Sequence, residues 1–498
     1  MASLAKTYDT QKLLGQVYTP PFIVSKILDE IGFDSPTVLG QTILDPACGD
    51  GRFLEEIAKR IISLSPAAQL AENLSYLHGW DIDAEAVSLC IGNLEKLIAP
   101  FSISVSWNIK VCDSITQLPN NEFMSIGKNK KFDFIVGNPP YIRIQHLDEQ
   151  TRKFVQQNYQ FCQSGSTDIY IAFYELCYQL LADDGICGLI TPNTFFYTET
   201  GKALRDFLVQ NKAIKKITNY ADIQVFDNAT TYSAILIFGK QDHPHFVFEQ
   251  ASSKLAFASR QIAWTEVETQ KFWQLSAKKP TNTQGTKLKD ICQIHVGITT
   301  LCDKVYIFPI ERIDEQYAWA NTRLKGKIKI ETALLKPIVK GSVLKSSEDE
   351  IKEYVLFPYQ KNKGKHQIIS EENLKKYPLT YQYLLSVKEE LDKRDNGQKN
   401  KVAWYAFGRS QGLDTSFGKK IIFSPMNLKP NFIWHENEES SLYSGYCIKY
   451  NGDVAWLLSV LNSQRFADFI AVSSRDFRGG WKAYNKKIVG EFVVEISK

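Results

Sequence analysis

Asn138, Pro139, Pro140 and Tyr141 form a short polar turn directly after Phe132–Val136, an apolar run typical of a buried β-strand. The side-chain carbonyl of Asn138 and the main-chain carbonyl of Pro139 are two hydrogen-bond acceptors on a turn that the prolines stiffen. An amine whose lone pair is delocalised is a poor nucleophile, so its hydrogens must be held on such acceptors while an electrophile approaches. Tyr141 can stack on a planar substrate. The motif predicts a site that positions an amine for group transfer; the alternative is a plain proline turn with a hydrogen-bonded tyrosine.

A glycine-containing turn lies earlier in the chain, in ILDPACGDGRFLEEIAKR. The pattern indicates a strand, a tight turn at Gly49 and Gly51, and then a helix. Glycines let the backbone approach a ligand closely, and the free N–H groups of a helix N-terminus suit a carboxylate. The methionine part of S-adenosylmethionine has such a carboxylate. The alternative is a purely structural turn.

Two acidic residues stand at the ends of the next strand candidates. Asp81 follows LHGW, where a carboxylate can accept hydrogen bonds from a ribose diol. Asp113 ends a third strand and can accept from the adenine amino group of a cofactor. In isolation Asp81 can equally be a helix N-cap, for which Asp83 is the better candidate, and Asp113 can be a turn aspartate. Their order after the glycine turn favours a cofactor site.

Upstream of the glycine turn, Tyr18, Thr19 and Pro20 precede an amphipathic helix that starts near Pro21. Proline in the first turn of a helix is a routine helix start, which is the simpler interpretation. The position of the segment just before the glycine turn suggests instead a flap over the cofactor.

The elements that must position these residues alternate between short apolar runs and amphipathic stretches from Gln41 to about Gly239, which predicts βαβ units around a largely parallel sheet. We expect an α/β, Rossmann-like domain: a seven-stranded sheet with helices on both faces. The predicted strands are Thr42–Leu44, Leu77–Trp80, Ile109–Val111, Phe132–Val136, Gly185–Thr191, Ile214–Tyr220 and Ser233–Phe238. The predicted helices are Arg52–Ser63, Ala84–Leu97, Asp168–Leu181 and Thr200–Gln210.

The alternation fades after Lys240, so we place a domain boundary near residue 245 and expect a mixed α+β domain over residues 246–498. Two basic stretches there, Arg394–Lys420 and Arg475–Lys487, contain interleaved aromatic residues and fit contact with nucleic acid. The residues that we assign to DNA binding are Arg394, Arg409, Arg475, Arg478, Trp481 and Lys482. A solvated basic face is the alternative for each stretch.

Bulk composition restricts the class of protein only loosely. A net charge of +4 permits a nucleic-acid partner through local patches without establishing one. The nine cysteines include no C-x-x-C pair, so we expect neither a metal site nor a disulfide framework. The N-terminus lacks the apolar core of a signal peptide and no stretch of about 20 apolar residues occurs, so we expect a soluble, cytoplasmic protein that contacts no membrane.

Residues 16 to about 240 resemble the gamma-class (TaqI-like) N6-adenine DNA methyltransferases. The features that carry the resemblance are the Tyr-Thr-Pro segment, the glycine turn, the acid-tipped strands and Asn-Pro-Pro-Tyr. The resemblance implies S-adenosylmethionine as cofactor, a flipped-out adenine as target, and a C-terminal target-recognition domain. It also implies a bacterial or archaeal protein that is nucleoid-associated while it acts. The implied catalytic residues are Asn138, Pro139, Pro140, Tyr141 and Phe226, which would pack on the adenine unless it is simply a buried strand-end phenylalanine. The implied cofactor site comprises Tyr18, Thr19, Asp45, Pro46, Ala47, Gly49, Asp81, Ile82, Asp113, Ser114 and Asn138.

The resulting hypothesis is a site-specific methyltransferase that acts on double-stranded DNA as a monomer and serves as the modification enzyme of a restriction-modification system, with a cognate endonuclease acting separately. The absence of a Pro-Cys dipeptide argues against the cysteine nucleophile of C5-cytosine methylation. A protein-glutamine N5-methyltransferase or an RNA methyltransferase with the same motif is the alternative. The long C-terminal half disfavours the first.

Overall fold

The computed structural model describes residues 18–116, 131–163, 165, 167–226, 231–277, 285–474, 476–477 and 479–495. The chain divides into two units, residues 1–279 and 280–498. This division falls later than the predicted boundary near residue 245, because two strands beyond that point pair with the sheet of the first unit.

A nine-stranded sheet organises the first unit, in the order β3-β2-β1-β4-β5-β7-β6-β8-β9. The first five strands in this order are parallel to one another, and β7 runs antiparallel between β5 and β6. All seven predicted strands are confirmed. The sheet contains two further strands, β8 and β9, that were not predicted. The strands are β1 (Ile43–Asp45), β2 (Leu77–Asp81), β3 (Asn108–Val111), β4 (Phe132–Gly137), β5 (Leu181–Pro192), β6 (Ile214–Asn219), β7 (Ser233–Gly239), β8 (His245–Ala251) and β9 (Phe257–Ala263).

Helices cover both faces of this sheet, as predicted, and each face has its own apolar core. Every residue of β7 is buried, which explains why its sequence is a continuous apolar run instead of an alternating one. The helices are α1 (Pro21–Glu30), α2 (Arg52–Leu64), α3 (Leu70–Ser75), α4 (Ala84–Ile98), α5 (Glu149–Asn158), α6 (Tyr170–Leu180) and α7 (Lys202–Gln210).

Helix α1 is anchored to the sheet at one close contact. A Cβ atom on Gly188 of β5 would lie 2.7 Å from a methyl group of Ile27, so only glycine allows this approach. The apolar residues of α1 on that side, Ile23, Val24, Ile27 and Leu28, are buried. This packing fixes the chain that enters α1, and with it Thr19.

The second unit contains mainly antiparallel sheets and short helices, in agreement with the expected mixed domain. Its larger sheets have the orders β11-β23-β19-β21 and β14-β13-β12-β16-β15-β22. The strands are β10 (Thr286–Lys287), β11 (Gln293–Val296), β12 (Ile307–Ile313), β13 (Tyr317–Thr322), β14 (Gly326–Glu331), β15 (Leu335–Lys340), β16 (Glu353–Leu356), β17 (Tyr359–Asn362), β18 (Lys365–Ile368), β19 (Lys420–Phe423), β20 (Met426–Asn427), β21 (Phe432–His435), β22 (Ser441–Tyr443), β23 (Tyr446–Lys449), β24 (Asp476–Phe477), β25 (Trp481–Ala483) and β26 (Val493–Val494). The helices are α8 (Leu288–Ile291), α9 (Asp303–Tyr306), α10 (Glu371–Leu374), α11 (Pro378–Ser386), α12 (Lys388–Asp392), α13 (Val454–Leu461), α14 (Gln464–Ser473) and α15 (Lys486–Gly490).

Within the described residues, no helix combines the length and the apolar character needed to cross a membrane.

Candidate functional site

The turn between β1 and α2 requires glycine at both predicted positions. Gly49 and Gly51 have φ angles of 52° and 94°, in the left-handed region that other residues adopt only with strain. A Cβ atom on Gly51 would also lie 2.6 Å from Sγ of Cys90 on α4. The turn therefore brings the N-terminus of α2 close to the ends of β1 and β2.

Asp81, at the end of β2, connects that strand to the glycine turn. Its carboxylate accepts hydrogen bonds from the backbone N–H of Gly49, at 2.8 Å, and of Asp83, at 2.9 Å. Asp83 is the N-cap of α4, since it accepts from the N–H groups of Glu85 and Ala86. The N-cap alternative for Asp81 was therefore wrong, and the choice of Asp83 as the better candidate is confirmed. Burial raises the pKa of Asp81 despite the two hydrogen bonds.

Asp45, at the end of β1, is buried, with only 1% of its surface exposed. Its carboxylate accepts from the N–H of Ala47 at 3.0 Å, and a Cβ on Gly137 of β4 would lie 2.8 Å from it. Burial raises its pKa to about 8, and the nearby carboxylate of Asp81 adds to the shift. Two partly desolvated carboxyl groups thus lie at neighbouring strand ends.

Asp113 follows β3 and closes its own turn. Its carboxylate accepts from the N–H groups of Ile115 and Thr116 and from the Thr116 hydroxyl. The turn interpretation is therefore confirmed, and a contact with a cofactor stays a prediction. The next residue, Ser114, donates its hydroxyl hydrogen to the carbonyl of Pro46 at 2.6 Å, which holds the β3 turn against the β1 turn.

Two large side chains at this end of the sheet are open to solvent. Ile82 is 65% exposed and Tyr18 is 50% exposed. The guanidinium of Arg52 lies over the ring of Tyr18, 5.0 Å from its centroid, and also pairs with Asp50 at 3.1 Å. The Tyr18–Pro20 segment is therefore linked to the glycine turn, as the flap hypothesis requires.

Asn138 follows β4, the strand next to β1, and its amide is held by the flap segment. Its Nδ2 donates to Oγ1 of Thr19 at 3.1 Å, and Thr19 is only 5% exposed. Because the amide nitrogen faces Thr19, the carbonyl oxygen faces the opposite way. No local pattern in the sequence indicates this contact, since 119 positions separate the two residues.

Tyr141 and Phe226 lie edge to face, with ring centroids 6.2 Å apart and planes at 68°. Phe226 is only 1% exposed, so the structure has the alternative that we named for it, a buried phenylalanine. Phe226 contacts Tyr141 within this core, and its packing on a substrate ring stays a prediction. The hydroxyl of Tyr141 donates to the carbonyl of Ile190 at 3.3 Å.

A side chain of α6 that the sequence did not single out, Tyr170, packs against Tyr141. The ring of Tyr170 lies 6.5 Å from that of Tyr141, and its hydroxyl shares a hydrogen bond with Thr194 at 3.0 Å. We predicted α6 to be buried, and it is, but helical periodicity cannot indicate which buried tyrosine supports a catalytic turn.

The residues assigned to DNA binding in the second unit differ in their exposure to solvent and in their contacts. Arg394 is only 9% exposed and its guanidinium donates to four backbone carbonyls, so it supports the fold, and a contact with DNA stays a prediction. Arg409 and Trp481 are exposed, at 49% for the Arg409 side chain and 41% for Trp481. Lys482 lies beside Trp481 on β25 and is half-buried. Arg475 and Arg478 lie outside the described residues.

Comparisons with known proteins agree with this geometry. The family described as Eco57I restriction-modification methylase matches residues 67–226. The type II restriction enzyme and methyltransferase RM.Eco57I of Escherichia coli is 25% identical over 95% of this chain and 56% of its own length. The type II methyltransferase M.BstVI of Geobacillus stearothermophilus is 25% identical over 80% of this chain and 75% of its own.

Among solved structures, the type IIL restriction-modification enzyme MmeI is similar in fold. Its TM-score is 0.58 at 11% sequence identity, and the alignment covers 95% of this chain and 66% of the MmeI chain. The similarity extends across both units, whereas the family match lies within the first. This chain spans little more than half the length of RM.Eco57I.

Proposed function

We propose that this chain, which matches the Eco57I restriction-modification methylase family over residues 67–226, transfers the methyl group of S-adenosylmethionine to N6 of an adenine in double-stranded DNA. The observation that carries the proposal is the amide of Asn138, which lies at a strand end beside the glycine turn with its nitrogen bound to Thr19.

The strand ends have the groups that S-adenosylmethionine requires. The cofactor carries a ribose diol, which the carboxylate of Asp81 at the end of β2 is suited to bind, and Asp45 lies buried at the neighbouring strand end. The left-handed glycines of the turn leave room for close approach, and the α2 N-terminus suits the cofactor carboxylate. When bound, the cofactor supplies an electrophilic methyl group. Tyr18, Pro46, Ile82, Asp113 and Ser114 complete the proposed cofactor site.

Asn138 and Pro139 would hold the target amine. The carbonyl of the Asn138 side chain and the main-chain carbonyl of Pro139 accept its two hydrogens, so that the nitrogen lone pair turns toward the methyl group. Tyr141 stacks on the adenine, which has to leave the duplex to reach the site. No side-chain base is needed before transfer, because the amine becomes acidic only once it is methylated.

The second unit would position the duplex through Arg409, Trp481 and Lys482, together with Arg475 and Arg478. A separate endonuclease of the same restriction-modification system is the proposed biological partner.

The substitution Asn138→Ala tests the proposal. We expect loss of methyl transfer from labelled cofactor to DNA, with cofactor affinity in calorimetric titration changed by less than about threefold, since the amide contacts the target. Mass spectrometry of digested wild-type product should identify N6-methyladenine. Asn211→Ala, at an exposed asparagine after α7, is the matched control and should behave as wild type. Near-normal turnover by Asn138→Ala, or methylation of another base, contradicts the proposal.

A further inference from the structure

The second unit contains a cleft of about 760 Å³ between the β17–β18 hairpin and residues 394–413. We propose that this cleft is a DNA-binding site in which Arg409 contacts the nucleic acid, and that the carboxylate of Asp395 competes with DNA for Arg409. The inference rests on the proposed function, because it assigns the substrate of that function to one surface.

The cleft is lined by the side-chain types that contact DNA. Its exposed cations are Lys399, Lys401 and Arg409, and Asp395 is the one acid among the described residues that line it. Within the described residues, neither Lys399 nor Lys401 has a carboxylate within ion-pair distance. Amide side chains line the same cleft, and amide and guanidinium groups are those that pair with base edges. The amides are Gln367, Gln398 and Asn400.

The acid next to the hairpin wall of the cleft is occupied by a local contact. Asp414 accepts from the backbone N–H of His366 at 2.7 Å and contacts its ring at 2.8 Å. Asp395 is the acid that lines the cleft and pairs with one of its cations, Arg409, at 2.6 Å.

The wall that holds these groups is rigid. Nη1 of the buried Arg394 donates to the carbonyl of Ala406 at 2.7 Å, and Nη2 donates to that of Trp404 at 2.8 Å. The Asn400 amide donates to the carbonyl of Phe407 at 2.9 Å, and the N–H of Phe407 donates to the Tyr359 hydroxyl at 2.7 Å. The segment is therefore tied both to itself and to the hairpin, as a preformed binding site requires.

Arg409 and Asp395 form a two-pronged ion pair at this wall. The guanidinium donates to the two carboxylate oxygens at 2.6 and 3.0 Å, and the two side chains are 49% and 42% exposed. The same fork of donors fits a phosphate or the edge of a guanine. Asp395 has a φ angle of 52°, a left-handed conformation that is uncommon outside glycine, so its position is held by the surrounding structure.

The pair remains charged at neutral pH, since Arg409 holds the pKa of Asp395 below its usual range. An exposed ion pair is weak enough for a ligand to displace. DNA that takes Arg409 must therefore displace a carboxylate, and removal of that carboxylate should strengthen binding.

Fluorescence anisotropy of the full chain with a labelled duplex, titrated over a range of salt concentrations, tests the inference. Asp395→Asn retains the shape and tolerates the left-handed backbone, and we expect about two- to fivefold tighter binding at low salt. Arg409→Gln should bind more weakly, with the salt slope reduced by about one unit. The double variant should bind like Arg409→Gln alone, because Asp395 acts through Arg409.

Glu311→Gln is the matched control, since it removes an equal charge from an exposed ion pair, Glu311 with Lys327 at 3.3 Å, outside the cleft. If Asp395→Asn changes affinity no more than this control, or if the two substitutions add independently in the double variant, the inference is overturned. Should Asp395→Asn fail to fold, Lys399→Gln decides, because it should reduce the salt slope and an unchanged slope contradicts the site.

Methyl-transfer assays on the same preparations separate the two hypotheses. Wild-type protein that binds DNA in the predicted way without methylating it contradicts the proposed function and leaves the cleft assignment intact. Wild-type protein that methylates adenine while the cleft variants bind DNA normally contradicts the cleft assignment alone.

Discussion

The amide of Asn138 shows how one hydrogen bond can set the chemistry of a residue. An asparagine side chain has a donor end and an acceptor end, and only the acceptor end can hold the hydrogens of an amine. The hydroxyl of Thr19 accepts from Nδ2 at 3.1 Å, so the carbonyl is presented to the other side. Thr19 thus acts as a positioning residue in the proposed mechanism, in addition to its predicted place in the cofactor site.

Thr19→Val removes this acceptor at almost unchanged volume. We expect kcat for DNA methylation to fall about tenfold, because a buried donor that loses its partner costs about 1–3 kcal/mol and the amide can rotate. Cofactor affinity should change by less than about threefold, and Thr19→Ser should restore most of kcat. Single-turnover methylation and calorimetry measure the two quantities. A fall in cofactor affinity with kcat unchanged would leave Thr19 as a cofactor residue only.

Among the elements, β8 and β9 are the ones that sequence periodicity did not reveal. Strand β8 pairs with β6 in parallel, so it covers what would otherwise be a sheet edge. An alternating ring of two lysines and two glutamates joins it to α1 and β6. The ring consists of Lys26, Glu30, Lys216 and Glu249, at distances between 2.6 and 3.0 Å. These strands therefore complete the catalytic unit.

A fragment of residues 1–277 should accordingly be monomeric and bind S-adenosylmethionine. A fragment of residues 1–240 should aggregate, because it exposes the edge of β6 and leaves the two lysines of the ring without Glu249. Size-exclusion chromatography and thermal unfolding with and without cofactor measure the difference. Equal solubility and equal unfolding temperatures of the two fragments would show that β8 and β9 are accessory.

At the scale of the whole molecule, the two units have separate cores, and each core buries an ionisable group, an acid in the first unit and a base in the second. Asp45 in the first unit has a pKa raised by burial to about 8. Lys420 in the second unit is fully buried, donates to the carbonyl of Ser440 at 2.7 Å, and has a pKa lowered by burial to about 7. Each shift makes the stability of its own unit depend on pH.

The signs of the two dependences differ. Between pH 7 and the unfolded value of 10.5, unfolding adds a proton to Lys420, so the second unit becomes more stable as pH rises. The first unit loses stability as pH rises from 3.8 toward 8, because folding keeps Asp45 protonated. Each unit should therefore have its own unfolding transition and its own pH profile.

Lys420→Met should remove the increase in unfolding free energy that the second unit shows as pH rises from 7 to 10. At about 1.4 kcal/mol per unit of pKa shift, this increase is on the order of a few kcal/mol. Scanning calorimetry between pH 7 and 10 measures it as the stability difference between variant and wild type, which should shrink as pH rises. Asp45→Asn is the control, since it should leave the pH dependence of the second unit's stability between pH 7 and 10 unchanged. A variant with the full wild-type pH dependence would assign the effect to other groups.

The sequence determined most elements of the first unit and the identity of the candidate catalytic turn. Strands β1 to β7 and the order of glycine turn, acids and Asn138 could be predicted, because apolar periodicity and turn chemistry are local properties of the chain. The tips of parallel strands meet at one sheet edge, so the order of motifs was enough to place them together.

Only the tertiary structure decided what each polar group contacts. Four of these contacts involve residues that are remote or show no pattern in the sequence. Thr19 pairs with Asn138, Phe226 is buried, Arg394 donates to backbone carbonyls, and β8 joins the sheet. A basic residue in a charged stretch looks the same whether it meets solvent, DNA or a carbonyl. Burial and hydrogen-bond geometry distinguish these cases, and they arise only when the whole chain packs.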